Sequence, residues 1–396
     1  SIGGFTFVVF KTYKMNDMKG KQGLVCMGLL LVLSSCSCHT GKQITASGLQ
    51  RKDFQTEVNG QHTDLFTLSN KQGMEVCITN YGARVVSILV PDRNGKREDV
   101  VCGFSTITEY MEQRQNFGST VGRYIGRILN ARFTLDGVEY KLVPNNGKSG
   151  HISHGGNPGF ADRIWKVEQA DTHRVRLSYL SPDGENGFPG NLKVTLVYSL
   201  GEDDNALDLT YEATTDAPTV LNLSHHSFFN ISGNFTKSVE DQQLWVDADR
   251  FTPYDDKKCV TGEYLPVAGT PLDFRMPHTI GECIDADHPQ LKVVNGYDHT
   301  WELNTKGDDT RPAAWVYDPA SGRKMEIFTT EPGMQIYTGN GLKGKMTGKG
   351  GIAYPFRSAV CFETMHFQDS PNQPGFPSTV LRPGEVFRSH TVYKFE

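Results

Sequence analysis

Residues 192–215 read LKVTLVYSL, then GEDDN, then ALDLTYEATT. In the first run Leu192, Val194, Leu196, Tyr198 and Leu200 alternate with Lys193, Thr195, Val197 and Ser199. In the last run Leu207, Leu209, Tyr211 and Ala213 alternate with Asp208, Thr210, Glu212 and Thr214. Period-two alternation puts the apolar residues on one face of a strand and leaves the other face to water. The Gly-Asp-Asn segment between the runs is turn chemistry. Half-buried antiparallel strands behave this way.

The pattern spreads outward over the chain. LFTLS (65–69), MEVCITNYGARVVSILVPD (74–92), RVRLSYL (174–180), KMEIFTT (324–330) and SAVCFETM (358–365) are further strand-like runs. Turn clusters such as DRNGK, LDGVE and PNNGKSG punctuate them. One short helix is expected over 106–113, and no capped helical stretch of twelve residues stands out. This is not a βαβ pattern. No internal repeat and no splitting linker is visible, so residues 50–396 read as a single all-β sandwich domain.

The first residues are a different kind of sequence. Residues 1–14 contain no Met and are set aside. From Met18 the chain reads MKGKQGLVCMGLLLVLSSCSC: two lysines, a short apolar run, then Leu33-Ser34-Ser35-Cys36. The apolar run has the length of an export signal and is too short for a comfortable membrane span. Its end resembles a bacterial lipobox, so lipidation at Cys36 is expected. Residues 1–38 are thus a leader and 39–49 a polar linker. The expected location is outside the cytoplasm, on a lipid anchor facing the periplasm or cell surface. That anchor is the sole membrane contact expected, and the chain is expected to be a monomer or weak dimer.

Bulk properties exclude little but exclude it firmly. A net charge of −5 gives no basic footprint for nucleic acid. The five cysteines beyond the leader are scattered and form no C-x-x-C pair, so neither a disulfide framework nor a Cys-rich zinc site is expected. Gly339, Gly344 and Lys345 stand at phosphate-loop spacing, but Met346 replaces the Ser or Thr that would hold magnesium. TGKGG then follows and cannot open the helix such a loop requires. The segment reads as a surface loop.

Several polar residues lie within apolar or glycine-rich runs. NLSHHSFFNISG (222–233) sets His225 and His226 side by side, and strand geometry sends them to opposite faces. Glu363 lies amid Cys361, Phe362 and Met365, where desolvation would raise its pKa and make it a better base. His154 sits in the Gly-rich segment SHGGNPGF. Arg127, Asp298 and Gln335 lie in GRYIGRI, NGYDHTW and EPGMQIYTGN. A His and a Glu on either side of a small polar molecule would suit a reaction that moves two protons. His151, His154, His225 and His226 could also be imagined as metal ligands, but zinc needs three or four that converge.

The ordered set NYGARVVSILVPDRNGK, GRYIGRI, HGGNPGF, SPDGENGFPGNLKVTLVYSL, NLSHHSFFNISG, NGYDHTW, EPGMQIYTGN and CFETMHFQDSPNQPGFPSTVLRPGE resembles the aldose 1-epimerase (galactose mutarotase) family from about residue 50 onward. The resemblance implies a large antiparallel β-supersandwich and interconversion of the α and β anomers of hexoses such as glucose and galactose. It implies that His226 is the general acid and Glu363 the general base. It further implies that Arg127, His154, Asp298 and Gln335 bind the sugar. No metal or other cofactor is implied. Two positions depart from the family pattern: Gly126 stands where Asn is usual, and His225 stands where Asn is usual. Three other readings remain. A hexose-6-phosphate 1-epimerase would need extra cations at the rim, for which the basic loop 343–349 is the only offer. A non-catalytic sugar-binding protein would be expected to lack the acid or the base. A metal-dependent hydrolase would use the histidine cluster.

Overall fold

The computed structural model describes residues 43–396; the leader, the lipobox and Cys36 lie outside the described residues. Two large sheets dominate. The first has nine strands, in the order Lys166–Ala170, Arg174–Ser181, Leu192–Leu200, Ala206–Thr215, Phe387–Phe395, Lys324–Thr329, Ala314–Tyr317, Gln243–Val246 and His278–Thr279. The second has six, in the order Phe228–Phe229, Val360–Met365, Gly333–Tyr337, Asp298–Glu302, Arg250–Thr252 and Leu265–Pro266. Neighbouring strands in both run antiparallel. A four-stranded sheet is built from Leu65–Ser69, Glu75–Thr79, Arg84–Pro91 and Arg97–Asp99.

The alternation at 192–215 is realised as a hairpin. Leu200 faces Leu207 and Leu192 faces Thr215 across the register. Leu192, Val194, Leu196, Tyr198 and Leu200 are buried, and their alternates are not. One apolar cluster draws Leu196, Tyr211 and Tyr393 from the nine-stranded sheet, Ile336 and Phe362 from the six-stranded sheet, and Val76 and Ile88 from the four-stranded sheet. Each such side chain contributes about 1.5–3 kcal/mol on burial. The antiparallel β-sandwich expected from the alternation is therefore the fold.

Helix is scarce, and where it occurs the caps explain it. Ile107–Gln113 starts at Thr106, whose hydroxyl accepts from the Glu109 amide while Glu109 reaches back to the Thr106 amide. A second helix, Pro289–Val294, was not anticipated; Pro at its start and the His288 cap nucleate it. The run TVLNLSHHSFFN (219–230), continuous in sequence, folds as three short strands: Thr219–Val220, Ser224–His226 and Phe228–Phe229. Each pairs with a different partner. Residues 43–49, read as linker, close a turn in which the Ala46 amide donates to Glu75 (2.7 Å).

Buried arginines tie loops to this frame. Arg84 is fully buried and donates to the carbonyls of Gln115, Phe117 and Ala161. It thereby fixes residues 115–118 at the edge of the cleft described next. The loop after Tyr337 is also held: the Tyr354 hydroxyl donates to the Gly103 carbonyl, and Lys349 pairs with Asp99 at 2.6 Å.

Candidate active site

The six-stranded sheet has two chemically different faces. Cross-strand partners share a face, and so do residues two apart. Glu363 lies opposite Gln335, which lies opposite Thr300. Two residues along, Cys361 lies opposite Tyr337, which lies opposite Asp298. These six side chains therefore share one face. Phe362, Ile336 and Trp301 point the other way, into the core.

The polar face floors an open cleft of about 230 Å³. Arg127, His154, His226, Asp298, Gln335 and Glu363 all line it. The structure thus brings together all six residues singled out in the sequence. His226 arrives on the short strand Ser224–His226, which pairs with Ser119–Val121. Its Nε2 lies 3.4 Å from Glu363 Oε1, with both side chains buried. Its ring stacks on Phe228, with centroids 5.0 Å apart.

His225 points away, as strand alternation requires. Its ring lies between Tyr198 and Tyr393 of the core, and its Nε2 is 2.6 Å from the Ser227 hydroxyl. Burial lowers its pKa to about 3, so it stays neutral.

His154 is delivered by a strained loop. Its φ is +52°, in the left-handed region, and its amide donates to the Gly126 carbonyl at 2.9 Å. Gly155 has no room for a side chain: a Cβ there would lie 2.0 Å from the Gly122 carbonyl oxygen. The His154 ring meets the His226 ring edge-on at 5.5 Å. Burial, and secondarily Arg127, lowers the His154 pKa to about 4. Its buried Nδ1 has no hydrogen-bond partner among the described residues.

The electrostatics are those of a site that disfavours charge. Burial pushes Glu363 well above the usual carboxylate value; Asp298 adds to this and Arg127 opposes it. Burial drives His226 well below the usual imidazole value, with His154 and His225 contributing. Burial also raises Asp298, against the pull of Arg127 and a 2.7 Å hydrogen bond from Gln335 Nε2. Burial works against the Arg127 charge, but Tyr254 and Asp298 hold the guanidinium above its ordinary value. Burial therefore favours a carboxyl beside a neutral imidazole in the His226–Glu363 pair. Such a pair holds one proton, which either partner can carry.

Several groups in the site were not foreseen, Gln368 and Cys361 among them. Gln368 lines the cleft beyond the end of the Val360–Met365 strand, and nothing in its spacing marks it. Cys361, one of the five scattered cysteines, shares the face of Glu363. His226, Cys361 and Glu363 offer ligand-type atoms within 4.8 Å of one another. They form the one group among the described residues that could hold a soft metal ion. Burial keeps the Cys361 thiol protonated. His151 does not join His154: its Nδ1 accepts from the Asn130 amide and its Nε2 lies 3.3 Å from Cys259 Sγ.

Comparison with known proteins agrees with this geometry. The aldose 1-epimerase family model matches residues 64–394. A galactose mutarotase from Sus scrofa is 39% identical over 330 residues, covering 83% of this chain and 93% of its own. An aldose 1-epimerase from Escherichia coli K12 is 36% identical over 339 residues, covering 85% and 96%. Among solved structures, an aldose epimerase homologue from C. elegans superposes with a TM-score of 0.78 at 31% identity, covering 84% of this chain and 99% of that one. A galactose 1-epimerase from Lactobacillus acidophilus NCFM superposes with a TM-score of 0.75 at 28% identity, covering 86% and 97%. The shared fold is the galactose mutarotase-like supersandwich, and this chain is a member of the aldose 1-epimerase family.

Proposed function

We propose that this chain interconverts the α and β anomers of free hexoses, glucose and galactose among them. Glu363 serves as base and His226 as acid. The observation that carries the reading is the buried His226–Glu363 pair, 3.4 Å apart at the floor of a cleft lined by hydrogen-bonding groups. A sugar seated over the pair has its C1 hydroxyl toward Glu363 and its ring oxygen toward His226. Arg127, His154, Asp298 and Gln335 take its other hydroxyls.

The chemistry follows from one shared proton. The reactive form is the tautomer in which that proton has moved to His226; Arg127, which opposes the effect of burial on Glu363, lowers the cost of reaching it. Glu363 removes the C1 hydroxyl proton while His226 protonates the ring oxygen. The C1–O5 bond breaks to give the open-chain aldehyde. At that point Glu363 is a carboxyl and His226 a neutral imidazole, the form that burial favours. The desolvated site thus stabilises the pair in the state that accompanies the high-energy intermediate. Rotation about C1–C2 presents the other carbonyl face, and closure with the proton roles reversed gives the other anomer.

Polarimetry tests the reading. Protein starting after Cys38 is added to fresh α-D-glucose and α-D-galactose, and the approach to anomeric equilibrium is followed. Acceleration over buffer supports the proposal. A folded protein that binds sugar without accelerating exchange would instead be a sugar-binding protein. One that accelerates only phosphorylated hexoses would be a phosphosugar epimerase.

We propose as well that the chain is exported and anchored through a lipid on Cys36. The lysines, the short apolar run and the Leu-Ser-Ser-Cys end support this. Metabolic labelling with a fatty-acid probe tests it: label should enter the full chain and vanish in Cys36→Ser. Label retained in that variant would contradict the assignment.

A further inference from the structure

Gly126 and Gln368 compete for one volume. Gly126 has φ +75°, and a Cβ built on it would lie 2.6 Å from Gln368 Cγ and 3.1 Å from Cδ. The Gln368 side chain therefore occupies the space that a side chain at 126 would enter. Both residues line the cleft beside Arg127, and Gln368 is 4% exposed.

The hydrogen bonds of Gln368 orient its amide. The Arg127 amide donates to Oε1 at 3.3 Å, so the atom on that side is oxygen. Nε2 donates to the Tyr254 hydroxyl at 2.6 Å and to Gln335 Oε1 at 3.3 Å. The next residue closes the frame, because the Asp369 amide donates to the Arg127 carbonyl at 2.8 Å. An amide has two N–H donors and two oxygen lone pairs. Both donors of Gln368 are engaged within the protein, while Oε1 accepts one long bond. An acceptor site therefore remains free in a cleft whose ligand is a polyol.

We infer that Gln368 is a sugar-binding, specificity-determining residue, accepting a hydroxyl of the bound aldose through Oε1 from the place a residue-126 side chain would fill. The inference rests on the proposed mutarotase function for its substrate class. It explains how the family's Asn position can be Gly here without leaving the cleft short of an amide. A residue that only propped Arg127 would affect all aldoses alike. One that contacts a particular hydroxyl changes their ranking.

The test measures kcat/KM for D-glucose, D-galactose and D-xylose, which differ at C4 or lack the C6 hydroxymethyl, in wild type, Gln368→Ala and Gln368→Met. Met keeps the volume and removes the acceptor, so it covers the case in which Ala fails to fold. Losing one neutral hydrogen bond should lower the value for at least one sugar about three- to tenfold more than for the others. Parallel losses, or none, in both variants would overturn the inference. A second arm uses the shared volume. Asn tolerates positive φ better than most residues, so Gly126→Asn alone should lose sugar affinity through the clash, and Gly126→Asn with Gln368→Ala should regain part of it. Losses that simply multiply would overturn the exchange of roles. Sugar dissociation constants from ligand-observed NMR are measured on the same set. They rank the aldoses even if the wild type proves inactive, so failure of the function and failure of this inference are read separately.

Discussion

The two faces of the strand Val360–Met365 are made from consecutive residues and do opposite jobs. Phe362 points into the core with Ile336 and Trp301 and is 1% exposed. Glu363 points into the cleft with Gln335 and Asp298 and is 3% exposed. Equal burial means stability on one side and strain on the other. An aromatic ring gains from leaving water, whereas a carboxylate loses unless something compensates for its charge. The contrast shows where the fold's surplus stability goes: the apolar face supports a polar face that would not pack so tightly by itself.

The strongest way to test this contrast is on the cleft side. Glu363→Gln removes the proton acceptor with little change in shape and should lower the catalysed anomerisation rate by about 10²–10⁴-fold. The same variant should be more heat-stable at pH 8. The sign follows from linkage: with a raised native pKa, the folded state holds a proton above 4.5 that the unfolded state has released, so stability falls as pH rises through that window. Gln has nothing to release. A calorimetric melting temperature below that of wild type at pH 8 would contradict the strain argument.

On the core side the effects should exchange places. Phe362→Ala should cost about 3–5 kcal/mol of unfolding free energy by denaturant titration, while activity per folded molecule stays near wild type. A large loss of specific activity in the folded variant would mean that the two faces are not independent.

The shared proton shapes the pH profile. Full protonation of the pair requires His226 to bind a proton well below 6.5, and full deprotonation requires Glu363 to release one well above 4.5. Burial thus widens the window of the singly protonated pair at both ends, and the catalysed rate, after subtraction of the buffer reaction, should show no step centred near 6.5. A steep change centred near an unperturbed imidazole value would contradict this.

The smallest effect expected lies far from the cleft. His390 bridges Asp208 and Asp309, each at 2.6 Å, and those bonds raise its pKa to about 9 against the pull of burial. Its contribution to stability is complete below 6.5 and disappears as pH rises through about 9. The site is partly solvent-exposed, so the effect is screened. Melting temperatures from pH 6 to 9.5 should fall slightly more in wild type than in His390→Gln.

Much of this was legible in the sequence because β-structure writes its faces at period two. The hairpin at 192–215, the opposite directions of His225 and His226, and the orientation of Glu363 against Phe362 and Thr364 all follow from that rule. What the rule cannot supply is long-range pairing. Nothing local sets His226 beside Glu363; the family resemblance carried that. Nor does a period mark where a strand changes partner, so the unbroken run 219–230 is three strands. Gln243–Val246 and Arg250–Thr252 likewise lie in one apparent run and in different sheets. Gln368 was invisible because it follows a strand end, where alternation no longer predicts direction. The helix Pro289–Val294 was missed because one capping histidine and one proline are weak signals in a short segment.

The central claim is that His226 and Glu363 act as one unit sharing one proton. Polarimetry of Glu363→Gln, His226→Asn and the double variant tests it directly. Groups that work as a unit lose nearly everything when either is removed, so the double variant should be no slower than the slower single one. Losses that multiply, or a Glu363→Gln protein with wild-type turnover, would contradict the account.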